Sequence, residues 1–237
     1  MPPTSVPQRP ASLAAAIPDF DPRKVPLIGN DAHLPAVPLG QQTPQALRTR
    51  FASPRPWEPE VRAEVRFSER SPAHAAVLIP LVLRERLTVL LTQRTAHLST
   101  HSGQIAFPGG RSDPGDVDAA ATALREADEE IGLHAQYVEV LGTLPAYETG
   151  SAFIVTPVVA LVQPQAPLNA NPYEVADMFE VPLEFLLNPA HHQRHRLQWE
   201  GMDREWWSMP FDDAGQERYI WGATAGMLRN FYRFMAA

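Results

Sequence analysis

The sequence contains no cysteine among its 237 residues. This absence excludes disulfide bonds and zinc sites built from thiolates, and it is compatible with the cytoplasmic location that we predict. Long apolar runs are missing as well. The apolar stretch at residues 11–17 is too short and too poorly framed for a secretory leader, and nothing approaches the length of a membrane span. We therefore expect no membrane partner.

An excess of basic residues is also missing. The 27 acidic residues outnumber the 20 lysines and arginines, which gives a formal net charge of −7. A general nucleic-acid binder usually carries a basic patch, so we expect no nucleic-acid partner. An anionic small molecule would need a locally positive surface despite this total.

Proline divides the chain into two parts. Residues 1–60 hold 13 of the 25 prolines, a density that suppresses both helices and central strands. We interpret residues 1–60 as a proline-rich N-terminal arm that lies on the domain or on a partner subunit of a homodimer; the alternative is disorder. Within it, a short helix at 43–51 capped by Thr43 is predicted. Residues 72–237 form the predicted domain.

Strands alternate with helices in this domain. Apolar, β-branched runs predict strands at 75–83, 87–92, 137–144, 153–162, 197–207 and 218–221. A strand followed by a short helix is predicted at 174–187, and a closing helix at 223–234. This pattern favours the α/β class, with a mixed sheet and helices outside it.

One acidic run stands out: Arg125-Glu126-Ala127-Asp128-Glu129-Glu130. On a helix, Glu126, Glu129 and Glu130 are three or four residues apart and can converge along one edge. Converging carboxylates repel each other unless a cation lies between them, and oxygen-only ligands suit Mg2+ or Mn2+. The opposite face, which we expect to be buried, carries Ala120, Leu124, Ala127 and Ile131, and Gly132 follows as a helix cap.

Together with the preceding turn Phe107-Pro108-Gly109-Gly110, this run resembles the Nudix box, G-x5-E-x7-R-E-U-x-E-E-x-G-U with U aliphatic. The second half matches if Ala127 counts as aliphatic. The first half departs from the pattern, because the spacing from Gly110 to Arg125 is one residue longer and Val117 stands where the first Glu belongs. Asp116 or Asp118 must replace that Glu. We favour Asp116, acting also as the helix N-cap.

A second element lies upstream: Leu90-Leu91-Thr92-Gln93-Arg94, then Gly103, then the glycine turn. It resembles the element that accompanies the box in the coenzyme A pyrophosphatase branch of the Nudix hydrolases. The resemblance implies a Nudix-type α/β/α sandwich and a substrate site with Arg94 as a phosphate ligand. The predicted substrate-binding residues are Thr92, Arg94, Gly103, Phe107, Gly109 and Gly110, and His97 and His101 could add donors.

The resemblance also implies roles for the acids. Glu126 and Glu130 are expected to bind Mg2+ or Mn2+, and Glu129 is expected to be a further ligand or the base that activates water. Arg125 is expected to hold these carboxylates in place. One more catalytic carboxylate is expected from a later loop, and we favour Glu174 over its rival Glu148.

The expected function is metal-dependent hydrolysis of the diphosphate of coenzyme A or acyl-CoA. The products would be 4′-phosphopantetheine, or its acyl form, and adenosine 3′,5′-bisphosphate. Two alternatives stay open: a Nudix enzyme acting on ADP-ribose, NADH or another nucleoside diphosphate derivative, and a non-catalytic nucleotide-binding module. A zinc site at His191, His192 and His195 is not favoured, because no cysteine or third partner is near.

Overall fold

The computed structural model describes residues 20–66, 68, 70–96, 103–199 and 202–237. His97 and His101, the two additional donors predicted from the sequence, lie outside the described residues. No helix in these described ranges is both long and apolar enough to cross a membrane.

Twelve strands and four α-helices are described. The strands are β1 (Leu27–Asn30), β2 (Ala73–Val82), β3 (Thr88–Arg94), β4 (Ile105–Ala106), β5 (Gly109–Arg111), β6 (Val138–Thr143), β7 (Tyr147–Glu148), β8 (Phe153–Val162), β9 (Val175–Pro182), β10 (Gln193–Trp199), β11 (Met202–Asp213) and β12 (Gln216–Trp221). The helices are α1 (Pro44–Ala52), α2 (Ala119–Ile131), α3 (Leu183–Leu186) and α4 (Gly222–Ala236).

A mixed sheet forms the centre of the molecule. Its main path runs β4-β3-β2-β8-β6, with β5 paired to β2, β7 to β8 and β9 to β3. β2 and β8 are parallel over their full length, from Ala73↔Phe153 to Val82↔Val162, whereas the other pairs are antiparallel. The predicted α/β fold with a mixed sheet is confirmed.

Strand periodicity gives the sheet two apolar faces. On β2, Ala76 and Leu78 pack with Ala123, Ala127 and Ile131 of α2. Ile79 and Leu81, on the alternate positions, pack in a second cluster with residues of α1 and α4, namely Leu47, Leu228 and Phe231. The sheet therefore lies between α2 on one side and α1 with α4 on the other, as in an α/β/α sandwich.

A second, four-stranded sheet of order β1-β10-β11-β12 extends the fold. It joins the N-terminal part of the described chain to its C-terminal part, because β1 pairs with β10. An ion-pair network completes this junction: the buried Arg229 of α4 donates to the buried Asp31 at 2.7 Å and to the more exposed Glu60 at 2.8 Å. Residues 20–60 therefore pack onto the rest of the protein, although the boundary between arm and domain at residues 60–72 stays a prediction.

Most predicted elements agree with the structure. The helix capped by Thr43 is confirmed, since the Thr43 hydroxyl accepts from the Ala46 amide at 3.2 Å. The single strand predicted at 197–207 is wrong: β10 ends at Trp199, β11 begins at Met202, and the two pair antiparallel. The glycine turn is also partly extended, because Gly109 and Gly110 pair with Val77 and Ala76.

Candidate active site

Helix α2 carries the acidic edge and is fixed at both ends. Asp118 is the N-cap, and its carboxylate accepts from the Ala121 amide at 2.8 Å. Gly132 ends the helix in the left-handed conformation, with φ of 66°. Asp116 is therefore not the N-cap, which corrects the prediction. The buried apolar face also differs by one position, because Ala123 is fully buried and Leu124 is only partly so.

Asp116 instead binds Arg125. The guanidinium donates from Nε to Oδ1 at 3.1 Å and from Nη2 to Oδ2 at 3.0 Å, a two-point pairing. This hydrogen-bonded pairing holds the pKa of Asp116 well below its usual range. Arg125 also donates to Glu126 Oε1 at 3.0 Å and to Glu129 Oε2 at 3.2 Å. Asp116 thus anchors the arginine that holds two of the predicted metal ligands.

Glu130 is the most buried acid of the cluster, with 4% of its surface exposed. Its Oε2 accepts from the Gly109 amide at 3.1 Å, and its Oε1 lies 3.6 Å from Arg94 Nη1. Burial raises the pKa of Glu130 to about 7, against the opposing effects of the Gly109 amide and Arg94. A carboxylate held in this way is costly to ionise without a further positive charge nearby.

Glu126 and Glu174 belong to the same electrostatic cluster. Burial raises the pKa of Glu126, and the negative charges of Glu129 and Glu174 raise it further. Glu174 also raises the pKa of Glu130. The loop that carries Glu174 is attached to the cluster, since the Asn171 amide donates to the Glu130 carbonyl at 2.8 Å. The rival Glu148 lies on β7, paired with Ile154.

The two glycines of β5 are in close contact with their surroundings. A Cβ on Gly110 would lie 2.5 Å from Glu126 Oε2, so only glycine leaves room for this carboxylate. A Cβ on Gly109 would lie 2.4 Å from the Ala76 carbonyl oxygen, and Gly109 has a φ of 154° that side chains disfavour. The glycine pair therefore brings the β5 backbone against the acidic edge.

Of the upstream element at residues 90–94, only a part lies at the acidic edge. Arg94 ends β3 beside Glu130, and its Nε is buried with no hydrogen-bond partner among the described residues. Thr92 is not brought to the site: it is 1% exposed, and its hydroxyl donates to the Ala106 carbonyl across the β3–β4 pair at 3.2 Å. Gly103 and Phe107 line a cavity that adjoins Arg94 and the glycines.

This cavity, which we call the inter-sheet cavity, has a volume of roughly 520 Å3 and lies between the mixed sheet and the four-stranded sheet. Most of the residues that line this cavity are not among the site residues predicted from the sequence. Arg204, Tyr219 and Trp221 come from β11 and β12, and Glu64 comes from the segment before β2. Glu64 and Arg204 are 140 positions apart, and their buried ion pair at 2.8 Å had no local sequence signal.

The donor set suits a hard divalent cation. Glu126, Glu129, Glu130 and Glu174 offer only carboxylate oxygens, and two of these groups have a raised pKa that a cation would lower. In the described part of the chain no three His, Asp or Glu side chains converge closely enough to hold a metal ion as they are placed. Two of these carboxylates, Glu126 and Glu129, are paired with Arg125 instead.

Comparisons with known proteins agree with this geometry. A NUDIX domain model matches residues 72–199. The chain is 41% identical over 156 residues to a protein of Yersinia pestis (strain Pestoides F) named uncharacterized Nudix hydrolase NudL, an alignment that covers 66% of this chain and 76% of that protein. A protein of the same name from Yersinia pseudotuberculosis serotype O:1b (strain IP 31758) matches equally. The chain therefore belongs to the Nudix hydrolase family.

The similarity to solved structures is weaker. A C. elegans Ap4A hydrolase has a TM-score of 0.40 and 24% identity, covering 50% of this chain and 85% of its own. A MutT/nudix family protein from Enterococcus faecalis has a TM-score of 0.41 and 16% identity, covering 81% of this chain and 70% of its own. Likenesses of this strength carry no argument about substrate.

Proposed function

We propose that this Nudix hydrolase cleaves the diphosphate of coenzyme A or acyl-CoA, giving 4′-phosphopantetheine or its acyl form and adenosine 3′,5′-bisphosphate. The observation that carries the proposal is the position of Arg94. The strand that contains Leu-Leu-Thr-Gln-Arg ends with this guanidinium 3.6 Å from Glu130 and beside the glycine strand β5. Two separate sequence elements thus meet at one point.

Coenzyme A differs from simpler dinucleotides in its additional 3′-phosphate. A site for it needs positive charge or N–H donors beyond those that serve the metal. The buried Nε of Arg94 is a donor of this kind, because it has no partner among the described residues. This favours a substrate with an extra phosphate over ADP-ribose or NADH.

Glu126, Glu129 and Glu130 would hold Mg2+ or Mn2+. When bound, the metal neutralises charge on the diphosphate oxygens and acidifies water. Arg125, fixed by Asp116, keeps Glu126 and Glu129 on the reactive edge. Either Glu129 or Glu174 would take the proton from the attacking water, whose oxygen bonds to one phosphorus as the bridging P–O bond breaks.

Product analysis tests the proposal. Purified protein would be incubated with Mg2+ or Mn2+ and with coenzyme A, ADP-ribose and NADH in parallel, and the products identified by mass spectrometry. We expect adenosine 3′,5′-bisphosphate from coenzyme A at the highest rate. Cleavage of ADP-ribose or NADH alone would overturn the substrate assignment but agree with metal-dependent diphosphate hydrolysis. If no diphosphate is cleaved, the alternative of a non-catalytic nucleotide-binding module would be favoured.

The variant Glu130→Gln provides the matched control. Its side chain has almost the same shape and keeps an acceptor for the Gly109 amide, but it removes the charge that would bind the metal. We expect turnover to fall by roughly 10³-fold or more with the fold retained. A fully active variant would contradict the assignment of Glu130. The cytoplasmic location and the homodimer stay predictions.

A further inference from the structure

The inter-sheet cavity adjoins the glycine strand, and a large part of its lining is apolar. The walls there are the two sheets and the start of α4, with Ala75, Val155, Phe153, Trp221, Ala223 and Met227 among the lining side chains. A volume of roughly 520 Å3 lies within the range of about 300–1,000 Å3 that is typical of small-molecule sites. The cavity is therefore large enough for a substantial part of a substrate.

Two other arginines of the cavity lining, Arg204 and Arg23, are already paired with carboxylates. Arg204 donates to Glu64 at 2.8 Å, and Glu64 also accepts from the Tyr147 hydroxyl and the Gly150 amide. Arg23, at the outer wall, donates to Glu217 at 3.2 Å. A ligand phosphate placed here would have to compete with a carboxylate for each arginine and would lose most of its hydration.

The glycine end has the opposite character. Arg94 is paired with Glu130 at 3.6 Å through Nη1 but keeps a buried Nε without a hydrogen-bond partner among the described residues, and Arg111 lies exposed beside Gly110. The cavity thus has an end that favours anions and an interior that favours an uncharged, mainly apolar group. A substrate that spans both must have a charged half and a neutral half.

From this polarity we infer that the inter-sheet cavity binds the neutral arm of the substrate, and that the nucleotide half stays at the glycine end. The inference rests on the proposed function and deepens it: the arm is the amide-containing pantetheine chain with its thiol or thioester. Thr149, Ser151 and the Glu64–Arg204 pair supply hydrogen-bonding groups for its amides. Val155, Ala223 and Met227 then determine how bulky a group is accepted.

The test uses pantetheine itself, which has neither a diphosphate nor a nucleotide. Its binding would be measured by isothermal titration calorimetry on wild-type protein and on A223F, which places a large side chain in the cavity. A236F is the matched control, because Ala236 lies on the same helix but is exposed and outside the cavity lining. Since the chain has no cysteine, the thiol of pantetheine cannot form a mixed disulfide with the protein.

We expect A223F to weaken pantetheine binding and to raise the KM for coenzyme A by about tenfold or more, while kcat changes far less. A236F should behave as wild type. Pantetheine that binds wild type and A223F equally, or that does not bind wild type at all, would overturn the inference. Circular dichroism would confirm that each variant is folded.

A second measurement needs no bulky variant. The methyl resonance of Met227, labelled with carbon-13 and assigned by M227L, should shift when pantetheine is added to the wild-type protein. An unchanged Met227 signal at saturating pantetheine would also overturn the inference. These results are separable from the proposed function: pantetheine could bind in the cavity of an enzyme that fails to cleave coenzyme A, and coenzyme A could be cleaved by an enzyme whose cavity ignores pantetheine.

Discussion

Alanine substitution of either of the two adjacent glycines of β5 adds one methyl group, and we expect one substitution to reduce activity and the other to reduce stability. In G110A the new Cβ would lie 2.5 Å from Glu126 Oε2, where ordinary contacts begin near 3.4 Å. The carboxylate must therefore retreat by about 1 Å, and a displacement of this size in a reacting site can reduce the rate by roughly 10²-fold. Because only the end of a flexible side chain moves, we expect the free energy of unfolding to fall by less than about 1 kcal/mol.

G109A is the comparison variant. Its Cβ would lie 2.4 Å from the Ala76 carbonyl oxygen and 2.6 Å from Val77 Cα, both backbone atoms of the central strand β2. Neither atom can move without disturbing the mixed sheet, and the φ of 154° adds strain. We expect the free energy of unfolding to fall by about 3 kcal/mol or more.

The assay combines urea unfolding followed by circular dichroism with the kcat/KM for coenzyme A at saturating Mg2+. G110A should lose activity and keep its stability, and G109A should lose stability. Wild-type activity in G110A would refute the claim that Gly110 makes room for Glu126. A loss of stability in G110A as large as that in G109A would refute the claim that only a side-chain end must move.

Three further predictions follow from the charged groups. The pKa of Glu130 is about 7 in the folded protein and near 4.5 in the unfolded chain. In EDTA, the free energy of unfolding of wild type relative to E130Q should therefore fall by about 3 kcal/mol as the pH rises from 4.5 to 7. A difference that does not change with pH in urea unfolding would contradict the burial of this acid. Burial lowers the pKa of His192 from 6.5 to about 4, so the unfolded state binds more protons between these pH values. The free energy of unfolding of wild type relative to H192Q should therefore fall by about 3 kcal/mol as the pH falls from 6.5 to 4. The same pH dependence of stability in both proteins would contradict this prediction. D116N should reduce kcat roughly 10- to 100-fold by releasing Arg125, and D116E should recover activity. Unchanged steady-state kinetics in D116N would show that Asp116 does not position the arginine.

Local patterns predicted the elements around the acidic edge well. The helix α2 follows from its apolar spacing and its glycine cap, and β8 has the predicted bounds because its apolar run ends sharply on both sides. The position of the N-cap does not follow from the sequence. Asp116 and Asp118 are both suitable caps, and only the folded turn shows that Asp118 caps the helix while Asp116 reaches Arg125.

Contacts between distant positions could not be predicted from one sequence. Nothing near Glu64 indicates that Arg204 will pair with it, and nothing near Asp31 indicates Arg229. The hairpin of β10 and β11 was missed for a different reason. Its strands mix charged and aromatic residues, such as Arg196, Arg204 and Trp206, so their alternation resembled one continuous strand. The inter-sheet cavity depends on these elements and was therefore not foreseen.

The pairing of Arg229 with Asp31 and Glu60 has a consequence for how the protein is made. These partners leave the ribosome at opposite ends of synthesis, and at roughly 5–20 residues per second they are separated by about 10–40 seconds. Asp31 must stay hydrated until α4 appears, because burying it without its cation would be costly. The strands of the mixed sheet and the acidic helix leave the ribosome before α4. In a nascent chain, the residues of the acidic edge are therefore present before those of β11, β12 and α4 that complete the inter-sheet cavity.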